Sequence, residues 1–165
     1  MPSQRPESLT TLLARLAASG TDFLLVGGLA AAAQGTALTT VDVDVVHRRD
    51  AENVRRLLAF LQSVGARYRG RPPGQVLRPT EALLLGEGHQ LLSTDLGQLD
   101  VLGAIEGGRD YASLLPESVE LTVEGQRVRV VKLETLAALK RGSRSPKDQL
   151  VVAMIEQALR TRDRG

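Results

Sequence analysis

The 165-residue chain predicts a mixed α/β fold of the α+β kind. One mixed β-sheet carries flanking helices and ends in a short C-terminal helical segment. Three observations predict it. Short apolar runs such as "DFLLV" and "TVDVDVV" have the length and composition of strands. Other stretches repeat their apolar residues every three or four positions, the period of a helix. These two kinds alternate in the first third of the chain, and two hairpin patterns follow, which makes the sheet mixed. A chain of this length forms one domain over residues 1–165. Its core is expected at about 20–131 and its closing helices at about 132–165.

The elements follow in order. "SLTTLLARLAASG" places Leu9, Leu12, Leu13, Leu16 and Ala17 on one helix face, and Gly20 stops it. "DFLLV" is a buried strand. "GGLAAAAQG" is a short helix, entered through Gly27-Gly28 and closed by Gly35. "TVDVDVV" is the second strand. "RRDAENVRRLLAFLQSVG" is a helix of about four turns, with Asp50 as its N-cap and Gly65 after its end. Residues 66–79 are a strand end and a loop. "HQLLSTDLGQLDVLGAI" is a hairpin with Asp95 to Gly97 at the turn, and "RDYASLL" is a short helix. "VELTVEGQRVRVV" is a second hairpin, turning at Glu124-Gly125. "LETLAALKRG" and "PKDQLVVAMIEQALRTR" close the chain as helices, the second with Pro146 in its first turn.

Composition narrows the function classes. Hydrophobic residues make up 42% and charged residues 24%, enough to bury a core. The aromatics are Phe23, Phe60, Tyr68 and Tyr111 alone, too few for a base-stacking platform. The absence of cysteine excludes disulfides and thiolate metal sites and fits a reducing compartment. The first ten residues lack the pattern of a secretion signal. The longest apolar stretch, Phe23 to Ala33, is too short to cross a bilayer. A cytoplasmic protein with no membrane partner is the expectation. Net charge is +2, but residues 125–165 hold ten Lys/Arg against four Asp/Glu. An acidic N-terminal part and a basic tail suit a phosphate-bearing substrate. A compositional bias toward arginine, 18 Arg to 3 Lys, gives the same pattern.

Asp42 and Asp44 interrupt an otherwise apolar strand. Side chains alternate along a strand, so both point the same way, with Cα atoms roughly 7 Å apart. Two carboxylates aimed together repel unless a cation lies between them. Oxygen donors without Cys or His favour Mg²⁺ or Mn²⁺ over zinc. His47 has the other parity and is expected at the surface or behind the ligands. A D-x-D pair alone is also what a solvated strand face carries. Asp100, in the apolar stretch "GQLDVLGAI", adds a third carboxylate if its strand pairs beside the first. Three such groups can hold two metals about 3.5–4 Å apart, the spacing used for in-line phosphoryl or nucleotidyl transfer.

Gly27-Gly28 end one strand and open a helix, where a phosphate can approach the backbone closely. Paired glycines are common in turns. Here they precede D-x-D on the next strand, which sets an anion cradle beside a metal site.

Gly27-Gly28-Leu29-Ala30, then Gly35, then Thr40-Val41-Asp42-Val43-Asp44 resembles the nucleotidyltransferase superfamily with a DNA polymerase β-like catalytic domain. More narrowly, it is similar to small bacterial AbiEii-like and other uncharacterised nucleotidyltransferases. "TDLGQLD", ending at Asp100, matches the family's third carboxylate motif. Leu133-x-x-Leu136-x-x-x-Lys140, followed by Lys147-Asp148, matches its C-terminal motif. The likeness spans about residues 20–160.

The resemblance implies transfer of a nucleoside monophosphate from an NTP to an RNA (tRNA) or protein acceptor. Mg²⁺ or Mn²⁺ would be the cofactor. Asp42, Asp44 and Asp100 would bind metal, and Asp100 would serve as base. Gly27, Gly28, Thr40 and Lys140 would hold the nucleotide. Lys147 and Asp148 would join them, or cap a helix. A place in a toxin–antitoxin or phage-defence pair, with an antitoxin as protein partner, is also implied. Two positions depart from the pattern, because Leu29 and Leu38 stand where relatives carry Ser and Arg. An inactive nucleotide- or partner-binding module is one rival reading. An aminoglycoside-type small-molecule enzyme is another, and it calls for an acidic pocket. The clusters Arg67, Arg69, Arg71, Arg78 and Lys140, Arg141, Arg144, Lys147 either grip phosphates or lie solvated.

Overall fold

The computed structural model describes residues 6–165. Residues 1–5, part of the stretch read for a secretion signal, lie outside the described residues. In chain order the elements begin with α1 (Pro6–Ala18), β1 (Phe23–Val26), α2 (Gly27–Ala33), β2 (Asp42–His47) and α3 (Ala51–Ser63). Next come β3 (Arg67–Tyr68), α4 (Glu81–Leu85), β4 (His89–Thr94), β5 (Gly97–Leu102) and α5 (Tyr111–Leu114). The chain closes with β6 (Ser118–Val123), β7 (Gln126–Val131), α6 (Leu133–Arg141) and α7 (Pro146–Arg164). No helix of the described residues is long and apolar enough to cross a membrane.

The seven strands form one sheet in the order β3-β4-β5-β2-β1-β7-β6. It is mixed, as expected. Pairs β2–β5 and β1–β7 are parallel, and the rest are antiparallel. Both hairpins form where the turn residues predict them. Glu124 and Gly125 have positive φ, 46° and 80°, the geometry that a two-residue turn needs to match strand twist.

Helix starts follow local chemistry. Asp50 accepts a hydrogen bond from the Asn53 amide at the head of α3, and Ser145 does the same for Asp148 in α7. The α4 helix has no counterpart in the sequence reading. It is one short turn of "EALLL", capped by Thr80 and held by the fully buried Leu84.

Sheet alternation sorts β2 into two faces. Val43, Val45 and His47 turn to one face, where all three are buried. The expectation that His47 lies at the surface or behind the metal ligands is therefore corrected. Its Nε2 donates to the Leu84 carbonyl at 2.7 Å, tying β2 to α4. Burial pushes its ring below the usual imidazole range. Asp42 and Asp44 turn to the other face, which α2, α6 and α7 border.

The core runs from α1 (Leu12, Leu16) through β1 and β2 to α3 (Leu57, Leu61), all fully buried. Asn53 sits on the same face of α3 as these leucines and is itself fully buried. Its side chain accepts from the Asp22 amide and donates to the carbonyls of Asp22 and Arg48. This bracket ties the start of α3 to the entry of β1 and the exit of β2.

Candidate active site

Parallel pairing of β2 with β5 sets Asp44 directly opposite Asp100. Asp42 lies two residues before Asp44 on the same face. One carboxylate oxygen from each of Asp42, Asp44 and Asp100 comes within 4.8 Å of the others. The condition set by the sequence, that the third aspartate share a sheet side with the first two, is met.

The electrostatics show the strain of gathering three carboxyls. Burial, then the charges of Asp42 and Asp100, push Asp44 up to about 8. Burial and Asp100 also raise Asp42, against the opposing pull of Arg69 and Lys147. A divalent cation among the three would relieve this repulsion, and an all-oxygen donor set fits Mg²⁺ or Mn²⁺.

The triad lies in a cleft of about 760 Å³. Gly27, Gly28 and Thr40 line it at the head of α2 and in the loop before β2. Lys140, Lys147 and Asp148 line it from α6 and α7. All nine residues expected at the site thus face one cleft. No side chain caps α2, which Val26 precedes. The Thr40 hydroxyl is turned to the Asp42 carbonyl at 3.0 Å, so it braces the loop. Lys140 Nζ is 2.6 Å from Glu106 and 4.0 Å from Asp148. Burial works against its ammonium, but Glu106, Asp148 and Asp44 outweigh it and raise the lysine above its ordinary value. Asp148 also accepts from the Ser143 hydroxyl at 2.7 Å.

The two departures from the family pattern fall differently. Leu29 packs against the core and does not line the cleft, whereas Leu38 does. Leu29 therefore leaves the cleft unsealed.

Arg69 carries more than either role given to its cluster. Its guanidinium donates to the Leu92 carbonyl and to Asp100 Oδ1, each at 2.6 Å. The side chain is only 23% exposed. Nothing local in "ARYRG" signals this. The contact follows from β3 pairing with β4, which lets Arg69 reach across one strand to β5. Glu106, the partner of Lys140, was missed because it sits in a glycine-flanked turn with no motif of its own.

No protein-family model matches the chain, and no curated protein matches it. Solved structures do. The lincomycin-bound lincosamide antibiotic adenylyltransferase LnuA matches with a TM-score of 0.65 at 13% identity, over 94% of this chain and 99% of that one. The antibiotic-resistance factor ANT(2'')-Ia matches with a TM-score of 0.58 at 14% identity, over 94% and 86%. A Thermotoga maritima protein provisionally assigned as a nucleotidyltransferase matches with a TM-score of 0.54 at 18% identity, over 96% and 92%. The fold is the one these nucleotidyltransferases share. The narrower AbiEii-like likeness finds no counterpart among them.

Proposed function

We propose that this chain is a divalent-metal-dependent nucleotidyltransferase that moves a nucleoside monophosphate from an NTP to an acceptor hydroxyl. The convergence of Asp42, Asp44 and Asp100 within 4.8 Å carries the reading. The match to antibiotic-modifying transferases of similar length supports it and favours a small-molecule acceptor. The RNA or protein acceptor and the antitoxin partner rest on the sequence resemblance alone.

Asp42, Asp44 and Asp100 would hold the metal. When bound, Mg²⁺ or Mn²⁺ supplies charge neutralisation at the triphosphate and makes the acceptor hydroxyl more acidic. The chain's own groups do the rest. Gly27 and Gly28 let the triphosphate approach the backbone. Lys140, a cation held at the mouth by Glu106, faces the departing pyrophosphate charge. Arg69 occupies Oδ1 of Asp100, so the remaining carboxylate oxygen is the one that can take the hydroxyl proton. One oxygen–phosphorus bond forms at the α-phosphorus, the bond to pyrophosphate breaks, and Asp100 accepts the proton.

The test is incubation with α-labelled NTPs, Mg²⁺ or Mn²⁺, and an acceptor panel of small polyols, antibiotics and tRNA. Label should transfer with the wild-type protein and not with Asp42→Ala. No label from any NTP to any acceptor, with folded protein and both metals, would refute the assignment.

A further inference from the structure

One cross-strand row divides the cleft. Val26 on β1 is paired with Asp44 on β2, Asp44 with Asp100 on β5, and Asp100 with Leu91 on β4. Paired residues share a face, so the two aspartates stand between Val26 and Leu91. Gly27 and Gly28 continue from the Val26 end. The Leu91 end is different in kind. Leu91 is 44% exposed although it stands on the face that bears the carboxylates. Leu102, two residues past Asp100 on the same face, and Ile105 line the cleft with it.

In-line transfer puts the attacking oxygen and the leaving group on opposite sides of phosphorus. With the triphosphate toward Gly27 and Gly28, the acceptor enters from the Leu91 side. The two acids that line the cleft outside the triad are already engaged. Glu106 is held by Lys140 at 2.6 Å. Asp148 is held by Ser143 at 2.7 Å and lies 4.0 Å from Lys140. Beyond the triad, Glu106 and Asp148, no acid lines the cleft among the described residues. Beside Leu91 the charged group is Arg69, whose amide bonds the Leu91 carbonyl. A polycation would find these two acids already engaged by Lys140 and Ser143, and Arg69 beside Leu91. A single-stranded nucleic acid would find no Phe or Tyr to stack on, since none lines the cleft. His89, on the same wall, hydrogen-bonds the Ala104 carbonyl through Nε2 at 2.8 Å. A carbonyl only accepts, so the neutral ring keeps its other nitrogen as an acceptor for a hydroxyl.

We propose that the acceptor is an uncharged small molecule with an apolar body and free hydroxyls, seated on Leu91, Leu102 and Ile105. This rests on the transferase reading and narrows its acceptor. A hydroxyl oxygen of that molecule forms the new bond to the α-phosphorus, pyrophosphate leaves, and the proton passes to Asp100.

The probe is octyl β-glucoside below its micellar concentration, compared with kanamycin as polycation and bulk tRNA as polyanion. Binding is read by saturation-transfer NMR and by calorimetry in the presence of Mg²⁺, with mant-NTP fluorescence reporting the nucleotide half separately. Octyl glucoside should bind, and Leu91→Asn and Ile105→Asn should each weaken it by about tenfold, the worth of one partly desolvated aliphatic contact. Thermal melts of both variants establish that they fold. Mant-NTP binding without octyl glucoside binding would overturn this inference alone. So would tighter binding of kanamycin or tRNA, or indifference to both substitutions. Absence of mant-NTP binding in the wild-type protein would remove the transferase reading and the acceptor role with it.

Discussion

A β-carbon built onto Gly27 would lie 2.1 Å from Oδ2 of Asp44. No real pair of atoms tolerates that approach, and Gly27 also holds a φ of 72°, which other residues rarely adopt. The glycine expected to admit a phosphate therefore also makes room for a metal-ligand candidate. Gly28 differs, because its added carbon would meet only Thr40, at 3.3 Å. Gly27→Ala should lower kcat by about 100-fold or more, the cost of displacing a reacting group by an ångström. Gly28→Ala should cost far less in kcat and show mainly in KM for the NTP. Equal kcat losses in the two variants, measured by pyrophosphate release, would contradict this division.

Asp44 titrates near 3.8 when exposed and at about 8 in the folded, metal-free protein. The folded state thus holds a proton that the unfolded chain has lost between those values. Stability from this group is complete below about pH 4 and declines as pH rises toward 8, with a slope of up to about 1.4 kcal/mol per unit. Asp42 is raised as well and acts in the same direction. The buried His47, whose ring is pushed below the usual imidazole range, works the other way only below about pH 6.5, so thermal melts in EDTA should fall in Tm from about pH 6.5 to pH 8. Asp44→Asn should flatten this trend and melt higher than wild type at pH 8. Mn²⁺ should stabilise the wild type more at pH 8 than at pH 5, because the ion competes with the proton. A metal-free Tm that rises over this range would be evidence against the crowding of the three carboxyls.

Much of this site is legible in the sequence because it rests on local rules. Strand alternation puts Asp42 and Asp44 on one face whatever the rest of the fold does. The turn "TDLG" fixes the register of Asp100 within its hairpin, and Asp50 announces α3. Long-range pairing is another matter. That β2 lies parallel to β5, and that β3 brings Arg69 over Asp100, depends on contacts between segments far apart in the chain. The turn of α4 is too short for a period, and only Thr80 before Glu81 marks its start. His47 was misplaced because a polar residue at a strand end reads as exposed, while its parity with Val43 and Val45 puts it inside. Asn53 did leave a trace, since it falls on the apolar stripe that continues through Leu57 and Leu61.

Lys140 links the C-terminal helices to the triad. Its ammonium is kept charged by Glu106 and Asp148, and it lines the cleft. If its charge meets the triphosphate, Lys140→Met should raise KM for the NTP by about 10–100-fold, the worth of a charged hydrogen bond. Lys140→Arg should recover part of that loss, since it restores charge but not the compact ammonium. A variant that only lowers Tm and leaves nucleotide affinity intact would reduce Lys140 to a clasp between Glu106 and α7.

The Asn53 bracket offers a test that separates scaffold from chemistry. Its three side-chain bonds, 2.7–2.9 Å long, join the fully buried Asn53 to the amide and carbonyl of Asp22 and the carbonyl of Arg48. Asn53→Ala strands the Asp22 amide and the Arg48 carbonyl, while the Asp22 carbonyl keeps the Arg48 amide at 3.1 Å, and should cost about 2–4 kcal/mol in urea unfolding, since each unmet buried partner costs on the order of 1–3 kcal/mol. Asn53→Asp should be comparably harmful, because its carboxylate cannot donate to the two carbonyls. Asn53 belongs to the opposite side of β2 from the carboxylates, so the folded fraction of either variant should keep Mn²⁺ affinity within about twofold of wild type, as expected for sites with no shared partners. A variant of normal stability, or one that loses metal binding while still folded, would show that this bracket does not serve as a purely structural tie between β1, β2 and α3.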